Sequence, residues 1–512
     1  MEKLSWQDEK NLNLNWLALK SLIMSHKGEF YMSGRENKKL DYDKLPRMPT
    51  FGEALIPVIF LIIILMFSIV WLEVDPHIPI VLSAAVAALV AVKIGIKWNV
   101  IEKGIIDGVM VGMQAIIILM IVGILIGAWI QAGVVPIMIY WGLQLLSPRI
   151  FLVAACLMCA IVALFVGSSW STVGTIGVAL VGIGTGLGIS PGLTGGAIIS
   201  GAYLGDKLSP LSDTTNLAPG AAGDTEVFEH IRHMLYVTVP GFLIALILFG
   251  IIGLFYAEDA VDPAEIEVIM DTLAESFNLN PLLFLAPIFV IAMIILKVPP
   301  IPSLLGGAVL GGIFAMIFQG AGLGSVMSTM HYGFVIDTEV EMVDELLTAG
   351  GLDGMMWTIS LIFAALALGG ILENCGFLAV ILKRLLSVAK TYGSVSLVTH
   401  ITAVFVNLVT ADQYLAIILP ARMFNEAYKD IGAHPKNLSR IVESAGTITS
   451  PLIPWNTCGA FMYGALGINP FVYLPFAFFN WITPLISIAY GYTGTAFAEW
   501  TEEDEEESLL EG

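Results

Sequence analysis

Ten apolar stretches divide the chain, at 54–72, 78–92, 109–130, 150–166, 235–255, 282–296, 301–318, 355–372, 394–409 and 471–490. Most approach the roughly 20 residues that carry a helix across a hydrocarbon core about 30 Å thick. Backbone amides in lipid must be satisfied within the segment, so such spans are helices, and the weak alternation of a membrane barrel is missing. The pattern predicts an all-α polytopic membrane protein of about 10–13 transmembrane segments.

Polar residues break this pattern at matching places. Residues 205–220 read GDKLSPLSDTTNLAPG and residues 446–461 read GTITSPLIPWNTCGAF, so a Gly-x-x-x-Ser-Pro-Leu turn recurs. Upstream of each lies a second interruption, GSSWSTVGTIG at 167–177 and NLVTADQY at 407–414. Paired interruptions in two halves point to the binding site of a transporter.

Other matches run in the same order. Ile78-Pro79 pairs with Ile301-Pro302, Asp107-Gly108 with Asp353-Gly354, GAWIQAG at 127–133 with GILENCG at 370–376, and Phe165-Val166 with Phe405-Val406. Collinear anchors with insertions only between apolar runs argue for a duplicated unit. The expected organisation is a polar segment at 1–52, a first repeat at 53–256, an acidic extracytoplasmic linker at 257–280, a second repeat at 281–498 and an acidic tail at 499–512.

Charge placement gives orientation, because Lys and Arg in short loops stay on the cytoplasmic side. The first 50 residues carry nine of them, which puts the amino terminus in the cytoplasm. Lys93, Lys97 and Lys103 follow the second span, whereas the equivalent stretch 319–353 has no Lys or Arg and six acids. Equivalent loops thus face opposite sides, as in inverted-topology repeats with broken helices or re-entrant hairpins, whose sites lie near the midplane.

Composition narrows the classes. Hydrophobic residues make up 57% of 512 positions and the net charge is −20, which excludes a nucleic-acid partner and leaves the lipid bilayer as the surroundings. Cys156, Cys159, Cys375 and Cys458 all fall in apolar runs and read as small hydrophobes. Residues 1–50 lack the apolar core of a signal peptide, so the first span does the targeting, and Met32 and Met48 are alternative starts. No metal triad or nucleophile elbow suggests an enzyme. No cofactor is expected beyond transported ions, and a homodimer stays open.

Ionisable side chains inside the bilayer are functional candidates by default. In the first break Asp206, Lys207 and Asp213 stand with Ser209, Ser212, Thr214, Thr215 and Asn216, while Pro210 and Pro219 free backbone carbonyls. Such oxygens suit a hard cation such as Na⁺, though a capped polar loop has the same composition. Asp206 and Lys207 either form an internal ion pair or take part in coupling. Ser168, Ser169, Ser171, Thr172 and Thr175 add hydroxyls that equally suit close helix packing. The second half offers Asn407, Thr410, Asp412 and Gln413, with Ser450, Asn456 and Thr457 in its break. Glu443 reads either as a coupling residue or as a partner of Arg440 at a cytoplasmic helix end. His400 reads as a packing residue or a proton carrier, and Glu373 is a further acid. His230 and His233, with Glu226 and Glu229, read as a solvated helix face.

GDKLSPLSDTTNLAP at 205–219 resembles the signature of NhaC-type Na⁺/H⁺ antiporters, and PTFGEALIPV at 49–58 resembles the start of that family's membrane domain. The likeness extends to TADQYLAIILPARMFNE at 410–426 and ESAGTITSPLIPWNTCGA at 443–460, so it covers 49–498. It implies a bacterial plasma-membrane transporter that exports Na⁺ in exchange for H⁺, with inverted repeats, paired re-entrant hairpins and an elevator-like transport domain. Carried over by position, 168–172 and 209–216 line the site from the first half, and 407–413 and 450–457 from the second. Asp213 aligns with Pro454, so the site is expected to be symmetric in shape but not in charge, with Na⁺ and H⁺ competing at Asp213 and Asp412. The alternative within the family is an organic-anion exchanger of the malate/lactate kind. The sequence shows no obvious buried arginine to clamp a carboxylate, which favours the cation.

Overall fold

The computed structural model describes residues 45–501 apart from 224, 257–262 and 388. The polar segment up to residue 44, part of the acidic connection and the tail beyond 501 lie outside the described residues. Within them every long element is a helix, joined only by the isolated bridges Phe334 to Ala349 and Ala433 to Glu499.

The first run comprises α1 (Phe51–Val70), α2 (His77–Ile94), α3 (Trp98–Val111), α4 (Met113–Gln131), α5 (Val134–Leu145), α6 (Pro148–Val166), α7 (Ser169–Thr172), α8 (Val178–Gly186), α9 (Pro191–Leu208), α10 (Asp213–Ala222) and α11 (Val227–Tyr256). A π turn, Val173–Gly177, joins α7 to α8. After α12 (Pro263–Ser276), the second run comprises α13 (Leu285–Ile295), α14 (Pro300–Phe318), α15 (Leu323–Tyr332), α16 (Glu341–Leu347), α17 (Met356–Asn374), α18 (Phe377–Leu386), α19 (Tyr392–Thr410), α20 (Gln413–Asp430), α21 (Pro435–Val442), α22 (Thr457–Leu466), α23 (Pro470–Tyr473) and α24 (Phe478–Thr493). Here the π turn, Glu443–Thr447, follows α21.

Among the described residues eight helices are long and apolar enough to cross a membrane, and two bent pairs raise the number to ten. The chain is therefore an all-α polytopic membrane protein. Ile59, Ile62, Ile63 and Met66 of α1 point outward, as a lipid-facing surface requires. Thr50 starts this helix with a capping box to Glu53, and Arg47 grips the same carboxylate at 2.7 and 2.8 Å.

The two runs share local turns. Gly133 between α4 and α5 and Gly376 between α17 and α18 both have left-handed backbone, at φ 82° and 77°. Gly167 between α6 and α7 and Ala411 between α19 and α20 do the same, at φ 73° and 58°. Packing is reciprocal as well. Helices α2 and α3 lie against α17, whereas α14 and α15 lie against α4. The helices come close where glycines meet, for a Cβ on Gly370 would stand 2.0 Å from the Gly104 carbonyl oxygen.

Residues 263–276 of the acidic connection form α12, which buries Ile269 and Leu273 in the main core before the chain bends by 95° into the next span.

Candidate functional site

Polar breaks from the two runs meet inside the bundle. In the first, Gly167 ends α6 and lets Ser168 cap α7, so the next amide points inward. Pro210 follows the end of α9 and Ser212 caps α10. Both helix starts converge on Asp206, which is 6% exposed. Its Oδ2 accepts from the Ser169 amide at 3.2 Å and the Ser169 hydroxyl at 2.6 Å, and its Oδ1 accepts from Ser212 Oγ at 2.6 Å. Hydroxyl and amide donors at helix amino termini stabilise a buried carboxylate.

The surrounding hydroxyls hold the break open. Ser212 Oγ lies 3.1 Å from Thr214 Oγ1, and Thr215 Oγ1 donates to the Asp206 and Lys207 carbonyls at 3.1 and 3.0 Å. Ser209 is buried with its hydroxyl accepting from the Leu211 amide, and Thr172 Oγ1 donates to the Ser168 carbonyl. Asn216 ties Pro210 and Ser212 through their carbonyls.

Asp213 and Asn216 lie on the exposed face of α10, and Asp206 takes the buried place. Of the two readings for Asp206 and Lys207 the internal ion pair is not formed, because the carboxylate is occupied by serines and Lys207 Nζ donates to Ser444 Oγ at 2.7 Å. This bond joins the first break to the second π turn.

In the second run Ala411 adopts the left-handed turn that glycine fills in the first, a conformation costing a non-glycine residue about 1–2 kcal/mol. Thr457 N donates to its carbonyl at 2.9 Å. Asp412 then caps α20, accepting from the Leu415 amide at 2.9 Å, and is 2% exposed. Asn407 donates to the Gly446 carbonyl at 2.6 Å and accepts from Asn456 at 3.0 Å. Gln413 Oε1 accepts from Ser450 Oγ at 3.3 Å and from Cys458 Sγ at 3.1 Å. Thr410 bonds back to the Val406 carbonyl. Asp412 and Asp107 are both electrostatic neighbours of Glu373.

Glu443 is fully buried, yet neither of its oxygens accepts a hydrogen bond, and it makes no ion pair with Arg440. Its neighbours are Lys207, Asp206, Thr447 and Thr214. Arg440 corrects another expectation, because it is a fully buried arginine. Its guanidinium donates to the Ala496 carbonyl at 2.9 Å and to Tyr392 Oη at 3.1 Å, so it serves the end of the bundle. The expected solvated face is buried too: His230 bonds Ser439 at 2.8 Å, and His233 bonds the Lys436 and Ala496 carbonyls. His400 is held by the Ser396 carbonyl at 2.7 Å.

Three further residues join the site. Tyr414, next to Gln413, has Asp213, Asp412 and Asp206 as electrostatic neighbours and marks where the halves meet. Ser444 holds Lys207, and Trp170 stacks on Phe461 with centroids 4.3 Å apart. Tyr414 closes the 407–414 break and Ser444 lies two residues before the 446–461 break, and that proximity was the available signal. The four cysteines are buried and form no disulfide among the described residues. Among the described residues no three His, Cys, Asp or Glu side chains group as metal ligands. The donors here are carboxylate, hydroxyl and carbonyl oxygens, the set a hard cation takes.

The profile of the Na⁺/H⁺ antiporter family matches residues 27–216 and 201–495. The chain is 41% identical over 451 residues to the Na⁺/H⁺ antiporter NhaC of Alkalihalophilus pseudofirmus, covering 88% of this chain and 97% of that protein. It is 39% identical to the malate-2H⁺/Na⁺-lactate antiporter of Bacillus subtilis, covering 72% and 78% respectively. To the arginine/ornithine antiporter ArcD of Halobacterium salinarum it is 38% identical, covering 91% and 97%.

Proposed function

This chain belongs to the Na⁺/H⁺ antiporter family, and on that footing we propose that it exports cytoplasmic Na⁺ in exchange for H⁺ across a bacterial plasma membrane. The observation that carries this reading is Asp206, a buried carboxylate at the meeting of two broken-helix ends, held by Ser169 and Ser212, with Thr214 beside Ser212, and sharing Tyr414 as a neighbour with Asp412. Na⁺ binds among these oxygens, and protons compete for the acids. Occupancy by either ion lets the breaks move between the two faces as an elevator-like unit. A bare carboxylate resists that crossing, which limits leak. The shared turns and reciprocal packing support two halves of inverted topology, and the lysines at 383, 390, 429 and 436 support a cytoplasmic face at their end of the bundle.

The test is proton flux in everted vesicles, followed by dye quenching on adding Na⁺, Li⁺ or K⁺, and then malate with lactate. Na⁺ alone should reverse the proton gradient. A response only to malate with lactate overturns the cation reading.

A second reading has its own observation. Lys207 is a buried lysine with Ser444 as its hydrogen-bond partner, and the helix starts at Ser168 and Asp412 face inward, so a substrate carboxylate would find an amine and amide donors. The relatives named for malate and lactate or for arginine and ornithine give it weight. The Asp206 cage, whose acid would repel such an anion, sets it second.

A further inference from the structure

Buried polar atoms are almost always hydrogen-bonded, and an orphaned one in a native structure needs an explanation. Most such atoms here gather between α11, α19, α21 and α24. Helix α24 contributes Asn480 Oδ1, Thr483 Oγ1 and Ser487 Oγ, spaced to lie along one face. Facing them are Ser396 Oγ and His400 Nε2 of α19, and Thr238 Oγ1 and His230 Nε2 of α11. Helices α11 and α19 each pack against α21 and α24, and α19, α21 and α24 also touch the second π turn. Contacts place the atoms in one seam: Ser396 abuts Gly491, Thr483 abuts Gly241, and Asn480 Nδ2 donates to the Ile448 carbonyl just beyond the π turn.

The seam has two ends. One lies among Arg440, His233 and the Lys436–Glu229 ion pair, which closes at 2.7 Å on the lysine-rich face. The other is Glu443. Charged and titratable groups line the way: Asp206 and Lys207 of α9 neighbour Glu443, while His230 of α11 and His400 of α19 neighbour Lys207. Beyond Glu443 stands Thr214, whose hydroxyl contacts Ser212, and Ser212 donates to Asp206.

We propose that this seam holds a file of water that conducts protons between the lysine-rich face and Glu443, and that Glu443 passes them through Thr214 and Ser212 to Asp206. Buried water takes about three hydrogen bonds from otherwise unsatisfied groups, which the seam supplies along its length. A proton arriving along the file turns the Glu443 carboxylate into the neutral acid. Each hydroxyl beyond it gives one proton as it receives another, so charge balances at every step. Na⁺ needs no part of this route, so proton access and cation access are separate. The inference rests on the Na⁺/H⁺ reading of the same site.

The test compares two exchange modes of the reconstituted full chain. Thr483→Val with Ser487→Ala keeps side-chain volume and removes two of the seam's hydroxyls. Na⁺/H⁺ exchange should fall about tenfold, since water in the file loses its partners, while isotopic Na⁺/Na⁺ exchange stays within about twofold. Unchanged Na⁺/H⁺ exchange overturns the seam, and so does an equal loss in both modes, which would mark a structural role. If the unmodified protein moves no protons against Na⁺, the underlying reading fails first and takes the seam with it.

Discussion

The two broken segments share a shape and differ in where they keep their acid. In the first, Asp206 sits inside the break, held by Ser169 and Ser212 through bonds as short as 2.6 Å. In the second, the break from Ser450 to Asn456 contains no acid, and the carboxylates stand outside it, Asp412 as a helix cap and Glu443 in a π turn. A caged carboxylate has fixed geometry and a matched set of donors, as an ion site needs. A buried carboxylate that accepts nothing has no such constraint, and its charge depends on what reaches it. On the proposed function, one shape thus serves two tasks, with holding the cation assigned to the first break and handling the proton to the second.

The most direct way to break this division is Asp206→Asn. The amide keeps the shape but loses the charge, and Na⁺-dependent proton movement in vesicles should fall by about two orders of magnitude. Retention of more than about a third of the rate would remove Asp206 from the centre. Asp412 sharpens the contrast, because it has two separable roles. Asn caps a helix about as well as Asp, so Asp412→Asn should leave thermal stability unchanged while transport drops about tenfold. Asp412→Ala should add a loss of about 1 kcal/mol in unfolding free energy. If both variants transport normally, Asp412 is only a cap.

Reciprocal packing predicts a third, smaller contrast. Gly370 and Gly127 occupy matching places in the two motifs, but a Cβ would meet the facing carbonyl oxygen at 2.0 Å for Gly370 and at 2.8 Å for Gly127. Gly370→Ala should therefore destabilise by about 1–3 kcal/mol, with Gly127→Ala costing less, as read by thermal melting in detergent. Equal melting shifts would mean the two contacts relax alike and the halves are better matched than these distances imply.

Spans and breaks were legible because hydrophobic runs and proline report local preference directly. The choice among acids was not. Asp206 and Asp213 lie seven residues apart in one polar motif, and only the turn at Ser209 to Ser212 decides which faces inward. The buried end of the bundle was illegible for a different reason. Read locally, His230, His233, Lys436 and Arg440 form charged connecting segments, and their burial depends on partners about 200 positions away, as in His230 with Ser439 and Lys436 with Glu229. Long-range pairing leaves no trace in local composition, so a solvated face was the natural expectation.

Asp213 offers the finest test. It stands on the exposed side of α10, between Ser212 and Thr214 of the cage, and shares the neighbourhood of Tyr414 with Asp206 and Asp412. An exposed acid there raises the local cation concentration without ordering the bound ion, so its charge acts on arrival and not on the crossing step. Asp213→Asn should raise the KM for Na⁺ about twofold to threefold and leave kcat unchanged, with the difference shrinking as ionic strength rises. Loss of kcat instead would put Asp213 in the moving site, and the two acids of the first break would then share the task assigned here to Asp206 alone.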